Sequence, residues 1–355
     1  MPSPKIIPSC AKIVQQQLLH QIPLRWQRQF KFGVAALTLK PFASLASNAR
    51  RTVVHPDTAS TKIDRLTCNE RLVSTLSQAV NRLGYVQPTS IVACDHSDFN
   101  GLSAFVGAVQ TRRGRAVPCL IETTYSPRLP AHPDAPKRKQ TMRRARHDAG
   151  VRLYDQVETT LIAWAKELGF WPRLVFDRGF GGIRLVRTLA EHGATFYIRL
   201  KAGRRVRLGG VEMSVRNLVT DDQVIRLDEL ELRVVRSDDP ATGEPWYILT
   251  SDRTGSRERI IQIYYHRFEI EEAFKDIKHV HELEAVRFMK PLSLKVVLWF
   301  ASLSLILSFL VGWWTQIKHP RHPKKQLSHY KQFFETLMRE AYGPPTDMIT
   351  GGLRK

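Results

Sequence analysis

Apolar and polar positions change period several times along the chain. Residues 11–48 carry apolar groups at mixed three- and four-residue spacing, the period of a helix. Residues 59–83 continue as one or two further helices, with Asp64, Asn69 and Ser74 at cap or turn positions. Gly84 and Pro88, within NRLGYVQPTS, then mark a domain boundary. Beyond it the apolar runs shorten to IVACD (91–95), AFVGAV (104–109) and AVPCLIETTY (116–125), the last two joined by the basic turn TRRGR. Such runs predict a three-strand meander. A basic, Pro-rich loop covers 126–148, and VRLYDQVETTLIAWAKEL (151–168) reads as an amphipathic helix. RLVFD (173–177), a helix at 181–192 and TFYIRL (195–200) make a β-α-β unit. Residues 201–245 alternate apolar and charged positions with glycine at the turns, which predicts a small antiparallel insertion. WYILTS (246–251) is a further strand, and 256–280 reads as one long helix.

One segment is apolar throughout. Residues 296–314, VVLWFASLSLILSFLVGWW, carry no charge over 19 positions. At ~1.5 Å per residue they reach about 28 Å, enough to cross a bilayer. Three serines and a glycine dilute the run. A helix buried on all sides of a globular core accounts for it equally in length and better in composition.

Composition narrows the class. The chain has 355 residues, 43% hydrophobic and 25% charged, the balance of a folded protein of two or three domains rather than a disordered one. Lysine and arginine number 54 against 33 acids, a formal charge of +21. An enzyme of small metabolites has no need of that self-repelling excess. A polyanionic partner explains it, nucleic acid first and an anionic membrane surface second. Cys10, Cys68, Cys94 and Cys119 form neither a CxxC pair nor a zinc-spaced cluster, so a reducing cytoplasm is expected. The N-terminal segment shows no apolar core of secretory-signal length.

Candidate chemistry sits at strand ends and on one helix. Asp95 and Asp177 each close an apolar strand, where a rigid element aims a carboxylate at a crevice. Either also suits a turn or a helix N-cap. On 256–280, Tyr264, Arg267, Glu271 and Lys278 fall within a stripe about 60° wide at ~100° per residue. A carboxylate flanked by two cations and a phenol suits metal-assisted phosphoryl chemistry. The same spacing also fits an i,i+4 Arg–Glu pair on a solvated helix face.

The spacing Tyr264-x2-Arg267-x3-Glu271-x6-Lys278 resembles the signature of bacterial insertion-sequence transposases of the DDE type. The context is similar too: Asp95 in VACDHSDF, Asp177 in VFDRGFGG, and a β-rich stretch between Asp177 and the glutamate helix. The resemblance covers about residues 89–315. It implies an α/β protein with a ribonuclease-H-like core, a β-rich insertion and an N-terminal helical region. The expected division is 1–88 for DNA-binding helices, 89–200 and 246–318 for the core, 201–245 for the insertion and 319–355 for a basic tail. Asp95, Asp177 and Glu271 would be catalytic and would ligate two Mg²⁺ ions, with Mn²⁺ an acceptable substitute. The implied partners are double-stranded DNA, as terminal inverted repeats and as target, and a second copy of the chain on that DNA. The implied setting is the bacterial cytoplasm, with no membrane.

The resemblance also implies DNA contacts. Arg267 and Lys278 would hold phosphates, and Tyr264 would hydrogen-bond one. Phe268 stands where the family usually has Trp, and either faces DNA or packs in the core. Trp246, at the end of the insertion, either stacks a flipped base or is a core residue. Lys137, Arg138, Lys139, Arg143, Arg144 and Arg146, with Lys201, Arg204, Arg205 and Arg207, would follow the phosphate backbone. Recognition of the terminal repeats would fall to the N-terminal helices, where no clear helix-turn-helix is visible. Asp98 is an alternative to Asp95 as first ligand. Glu272 lies ~100° off the stripe and Glu269 about 200° the other way, as a surface acid. His266 and His279 read as structural or DNA-facing. The rival classes are a non-catalytic DNA-binding descendant of a transposase, a metal-dependent nuclease of the same fold, and a membrane protein.

Overall fold

The computed structural model describes residues 24, 27, 69–82, 84–99, 101–111, 115–126, 155–240, 242–275, 277, 278, 283 and 290–318. The helices expected within 11–48 and the basic loop 126–148 lie outside these, apart from Leu24, Gln27 and Ser126. The chain divides into two compact units, Asn81–Lys275 with Phe288–Pro291, and Met1–Val80 with Asp276–Arg287 and Leu292–Lys355.

The first unit is built on a ten-stranded mixed sheet. Its strands are β1 (Ile91–Phe99), β2 (Leu102–Gln110), β3 (Ala116–Tyr125), β4 (Arg173–Phe176) and β5 (Phe196–Leu200). They continue as β6 (Arg205–Leu208), β7 (Val211–Ser214), β8 (Asp222–Leu227), β9 (Leu230–Asp238) and β10 (Pro245–Thr250). The spatial order is β3-β2-β1-β4-β5-β10-β9-β8-β6-β7. The predicted meander is present: β1, β2 and β3 pair antiparallel, and Gly101 turns the first hairpin at φ 92°, a conformation glycine adopts without strain. β1 pairs parallel with β4, and β4 parallel with β5. The β4–β5 crossover carries the helix Ile183–Glu191. The insertion is antiparallel, as its alternating pattern predicts, and β9 joins it to the central sheet through β10.

The central strands are apolar on both sides because both faces are covered. On one face Val92, Cys94, Leu174, Phe176, Phe196 and Ile198 pack with Leu161 and Trp164 of the helix 155–168 and with Leu185 and Leu189 of Ile183–Glu191. On the other, Val175, Tyr197, Trp246 and Ile248 pack with Ile260, Ile263 and Tyr264.

The segment 256–280 is not one helix. It forms α4 (Arg257–Tyr265) and α5 (Phe268–Lys275), where α1 is Glu70–Arg82, α2 is 155–168 and α3 is Ile183–Glu191. At the break, Arg267 N donates to Tyr264 O at 2.9 Å and Ile270 N to Arg267 O at 3.1 Å, one residue tighter than the α pattern. The Ile263 carbonyl thereby loses its usual helical donor and accepts from Gln110 Nε2 at the end of β2 (3.2 Å). Thr111 N reaches Glu269 Oε2 at 2.7 Å. Contacts from the meander therefore set the break. Glu269 is no surface acid: its residue is 5% exposed, and it accepts from Thr111 and pairs with His266 at 3.1 Å.

In the second unit, Asn69 Oδ1 accepts from Leu72 N at 3.0 Å and caps α1, whose Leu72, Val73, Leu76, Ala79 and Val80 are buried. The apolar run lies in α6 (Pro291–Lys318). Every residue from Val296 to Leu303 is buried, more than two turns of helix without a solvated side. From Leu292 onward α6 groups with the N-terminal segment rather than with the sheet. Among the described residues no helix is long and apolar enough to cross a membrane.

Candidate active site

Strand register brings the two aspartates together. Ala93 pairs with Val175 and Cys94 with Phe176. One step further along both parallel strands sets Asp95 beside Asp177, on backbones about 4.8 Å apart. Side chains alternate along a strand, so Asp177 shares the face of Val175, the face covered by α4. Asp177 also caps the short 3-10 turn Arg178–Phe180, its Oδ1 accepting from Gly179 N at 2.8 Å. A Cβ on Gly179 would stand 2.9 Å from that oxygen, which explains the glycine in DRGFGG.

Arg267 links the first aspartate to the glutamate. Its Nη1 lies 3.3 Å from Asp95 Oδ2 and its Nη2 2.5 Å from Glu271 Oε1. The Arg267 side chain is only 8% exposed. The guanidinium lies 4.8 Å over the Phe268 ring. Burial pushes the Asp95 carboxyl up to about 6; Arg267 pulls it back, Asp177 raises it, the His96 N–H lowers it and Glu271 raises it. Three carboxylates thus share one electrostatic site with one guanidinium inside it.

Residues 144–307 match the family model of the transposase DDE domain. The match supports a DDE transposase. The matched span contains Asp177, Tyr264, Arg267, Glu271 and Lys278 and begins after Asp95. No curated protein matches the chain. Among solved structures, it is similar to a piggyBac transposase synaptic complex with hairpin DNA, at TM-score 0.44 and 12% identity, over 90% of this chain and 73% of that one. So distant a likeness carries nothing about the site.

The remaining signature and expected DNA-contact positions divide. Tyr264 is 1% exposed and Trp246 0%, their rings edge-on at 5.2 Å. In this structure both pack as core, and neither presents a surface to a phosphate or a base. Burial pushes the Tyr264 hydroxyl up to about 12, so it stays protonated. Phe268 is half-buried against Trp246, with ring centroids 6.0 Å apart. Lys278 is half-buried and belongs to the other compact unit. Lys201 and Arg207 are exposed, Arg205 pairs with Glu212 at 3.2 Å, and Arg204 is half-buried. Lys137, Arg138, Lys139, Arg143, Arg144, Arg146 and His279 lie outside the described residues. Asp98 lies on the opposite face of β1 from Asp95 and accepts from Ser126 Oγ at 3.3 Å. Glu272 is held by Lys275 at 2.5 Å and Arg115 at 3.3 Å.

Two site residues escaped the sequence reading. Phe176 pairs with Ile198, so Asp177 stands in line with Arg199 of β5. Arg199 pairs with Glu244 at 2.8 Å and lies 5.8 Å over the Trp246 ring. The available signal was a lone arginine inside the apolar strand TFYIRL. His96 adjoins Asp95 on the far face of β1, stacked on Phe180 with centroids 5.0 Å apart. Burial pushes it down to about 4.

Among the described residues no three His, Cys, Asp or Glu side chains are gathered closely enough to hold a metal ion. The donor chemistry nonetheless fits one. Asp95, Asp177 and Glu271 offer hard oxygen ligands of the kind Mg²⁺ takes, and their mutual repulsion, felt in the raised Asp95 carboxyl, is what a divalent cation relieves.

Proposed function

We propose that this chain is the transposase of an insertion sequence, acting on double-stranded DNA through a ribonuclease-H-like core in which Asp95, Asp177 and Glu271 hold two Mg²⁺ ions. The observation that carries the reading is the meeting of Asp95 and Asp177 on adjacent parallel strands, with Glu271 tied to Asp95 through Arg267. When bound, two divalent ions stabilise the attacking and leaving oxygens of an in-line phosphoryl displacement. The carboxylates position those ions. Asp95 must be ionised to take part, and a bound cation would favour that form.

Tyr264 and Trp246 serve this site from within the core, the first by packing edge-on against Trp246 and the second by backing Phe268. Phosphate contacts fall to Lys278, to the basic run within 137–146 and to Lys201 and Arg207. The terminal inverted repeats are read by the N-terminal region, and two copies of the chain bring two ends together before joining to the target.

The test uses full-length protein, Mg²⁺ and a labelled duplex carrying the element's own end. Wild type should cleave that end and join it to a plasmid. Glu271→Gln should lose both by about 10³-fold or more while still binding the duplex. Binding without chemistry in the wild type would identify a DNA-binding descendant, and cleavage without joining a nuclease.

A further inference from the structure

Arg267 is an unusual residue to find between two members of a metal-binding set. Its guanidinium is buried, yet both terminal nitrogens are committed to carboxylates from different elements, Asp95 on β1 and Glu271 on α5. It is backed by the Phe268 ring. Its Nε is buried with no hydrogen-bond partner among the described residues. A fixed structural ion pair would leave no such donor, because a buried N–H without an acceptor is costly. The arrangement is complete on the carboxylate side and incomplete on the other.

Charge explains the imbalance. One guanidinium cannot neutralise three carboxylates, whereas two divalent ions more than do so. Metal and guanidinium therefore compete for the same oxygens. Metals, once bound, repel the guanidinium and leave it seeking an anion.

We propose that Arg267 is an internal counter-ion that occupies Asp95 and Glu271 in the DNA-free chain and holds divalent-metal affinity down, releasing them when metal and a DNA phosphate arrive together. It is a positioning residue: it pre-assembles two carboxylates from separate elements and links metal loading to DNA. The inference rests on the transposase reading of the three carboxylates, and the experiment separates the two.

The experiment titrates Mn²⁺ into the full chain without DNA and reads bound metal by calorimetry or by the loss of the free-ion electron paramagnetic resonance signal. Arg267→Met should bind Mn²⁺ about tenfold more tightly than wild type, as expected for removing one charge-assisted competitor. Tyr264→Phe, which keeps the guanidinium but removes the neighbouring phenol that stabilises its charge, should shift affinity in the same direction by less. Added duplex should tighten Mn²⁺ binding in wild type and have little effect in Arg267→Met. Equal or weaker Mn²⁺ binding by Arg267→Met and Tyr264→Phe, with binding lost in Asp177→Asn, would overturn the counter-ion role and leave the metal site standing. Unchanged binding in Asp177→Asn would remove the metal reading of the carboxylates, and the inference with it.

Discussion

The two faces of β1 bury ionisable groups one residue apart and treat them differently. Asp95 faces α5, where Arg267, Asp177 and Glu271 surround it with charge. His96 faces the opposite core, where Phe105 and Phe180 surround it with rings and its Nε2 finds no hydrogen-bond partner among the described residues. Burial drives both toward neutrality, the acid up to about 6 and the imidazole down to about 4. Charged neighbours act on both: Arg267 restrains the rise of Asp95, and Asp177 and Asp98 restrain the fall of His96. The acid face pairs its carboxylate with a guanidinium, whereas the other lines its imidazole with rings.

Neighbouring residues at the C-terminal end of β4 give the sharpest way to break this contrast. Asp177→Asn should cost about 10³-fold or more in end cleavage and leave the thermal midpoint nearly unchanged. Phe176→Ala, one residue earlier and facing the other core, should cost about 3–5 kcal/mol of stability in chemical denaturation. If Asp177→Asn proved as destabilising as Phe176→Ala, the acid face would be structural.

The next effect is in pH dependence, measured by urea unfolding with metal chelated. Asp95 titrates near 3.8 when unfolded and near 6 when folded, so its contribution is full at low pH and lost as pH rises to 6. His96 titrates near 6.5 unfolded and near 4 folded, so its contribution is full above 6.5 and lost as pH falls to 4. Between pH 4 and 6 the slopes oppose, and folding in effect moves a proton from His96 to Asp95. Wild-type stability should therefore vary little there on account of this pair. Asp95→Asn should unmask a loss of about 3 kcal/mol on acidification from pH 6.5 to 4. His96→Phe should unmask a loss of about 2–3 kcal/mol as pH rises from 4 to 6. Parallel profiles in all three proteins would contradict the assignment.

A smaller effect is expected at the helix break. Glu269→Gln weakens the anchor that accepts from Thr111 and should cost about 1–2 kcal/mol, with end cleavage falling because α5 carries Glu271.

The legible parts of this molecule are those encoded locally. The run closing on Asp177, the meander with its basic turn, and the alternation within 201–245 all follow from neighbouring residues, whereas β1 runs on through Asp95 to Phe99 because β2 pairs with it along that length. The break between α4 and α5 is not local either. It depends on Gln110 and Thr111, and Thr111 lies 158 positions from Glu269. A continuous helix over 256–280, which the local pattern predicts, puts Glu269 on the surface and Tyr264 on one stripe with Arg267. Arg199 was equally hidden, because its alignment with Asp177 exists only once β4 and β5 pair. The burial of Trp246 and Tyr264 likewise depends on α4 covering the sheet.

The most direct measurement of the account compares Asp95→Asn with Asp98→Asn, three residues apart on opposite faces of β1. Both would be assayed for Mg²⁺-dependent cleavage of the labelled transposon end, with duplex binding measured in parallel. The account predicts that Asp95→Asn binds the duplex but loses cleavage by about 10³-fold or more, while Asp98→Asn cleaves within a few-fold of wild type. Cleavage retained by Asp95→Asn and lost by Asp98→Asn would show that the chemistry belongs to the other face.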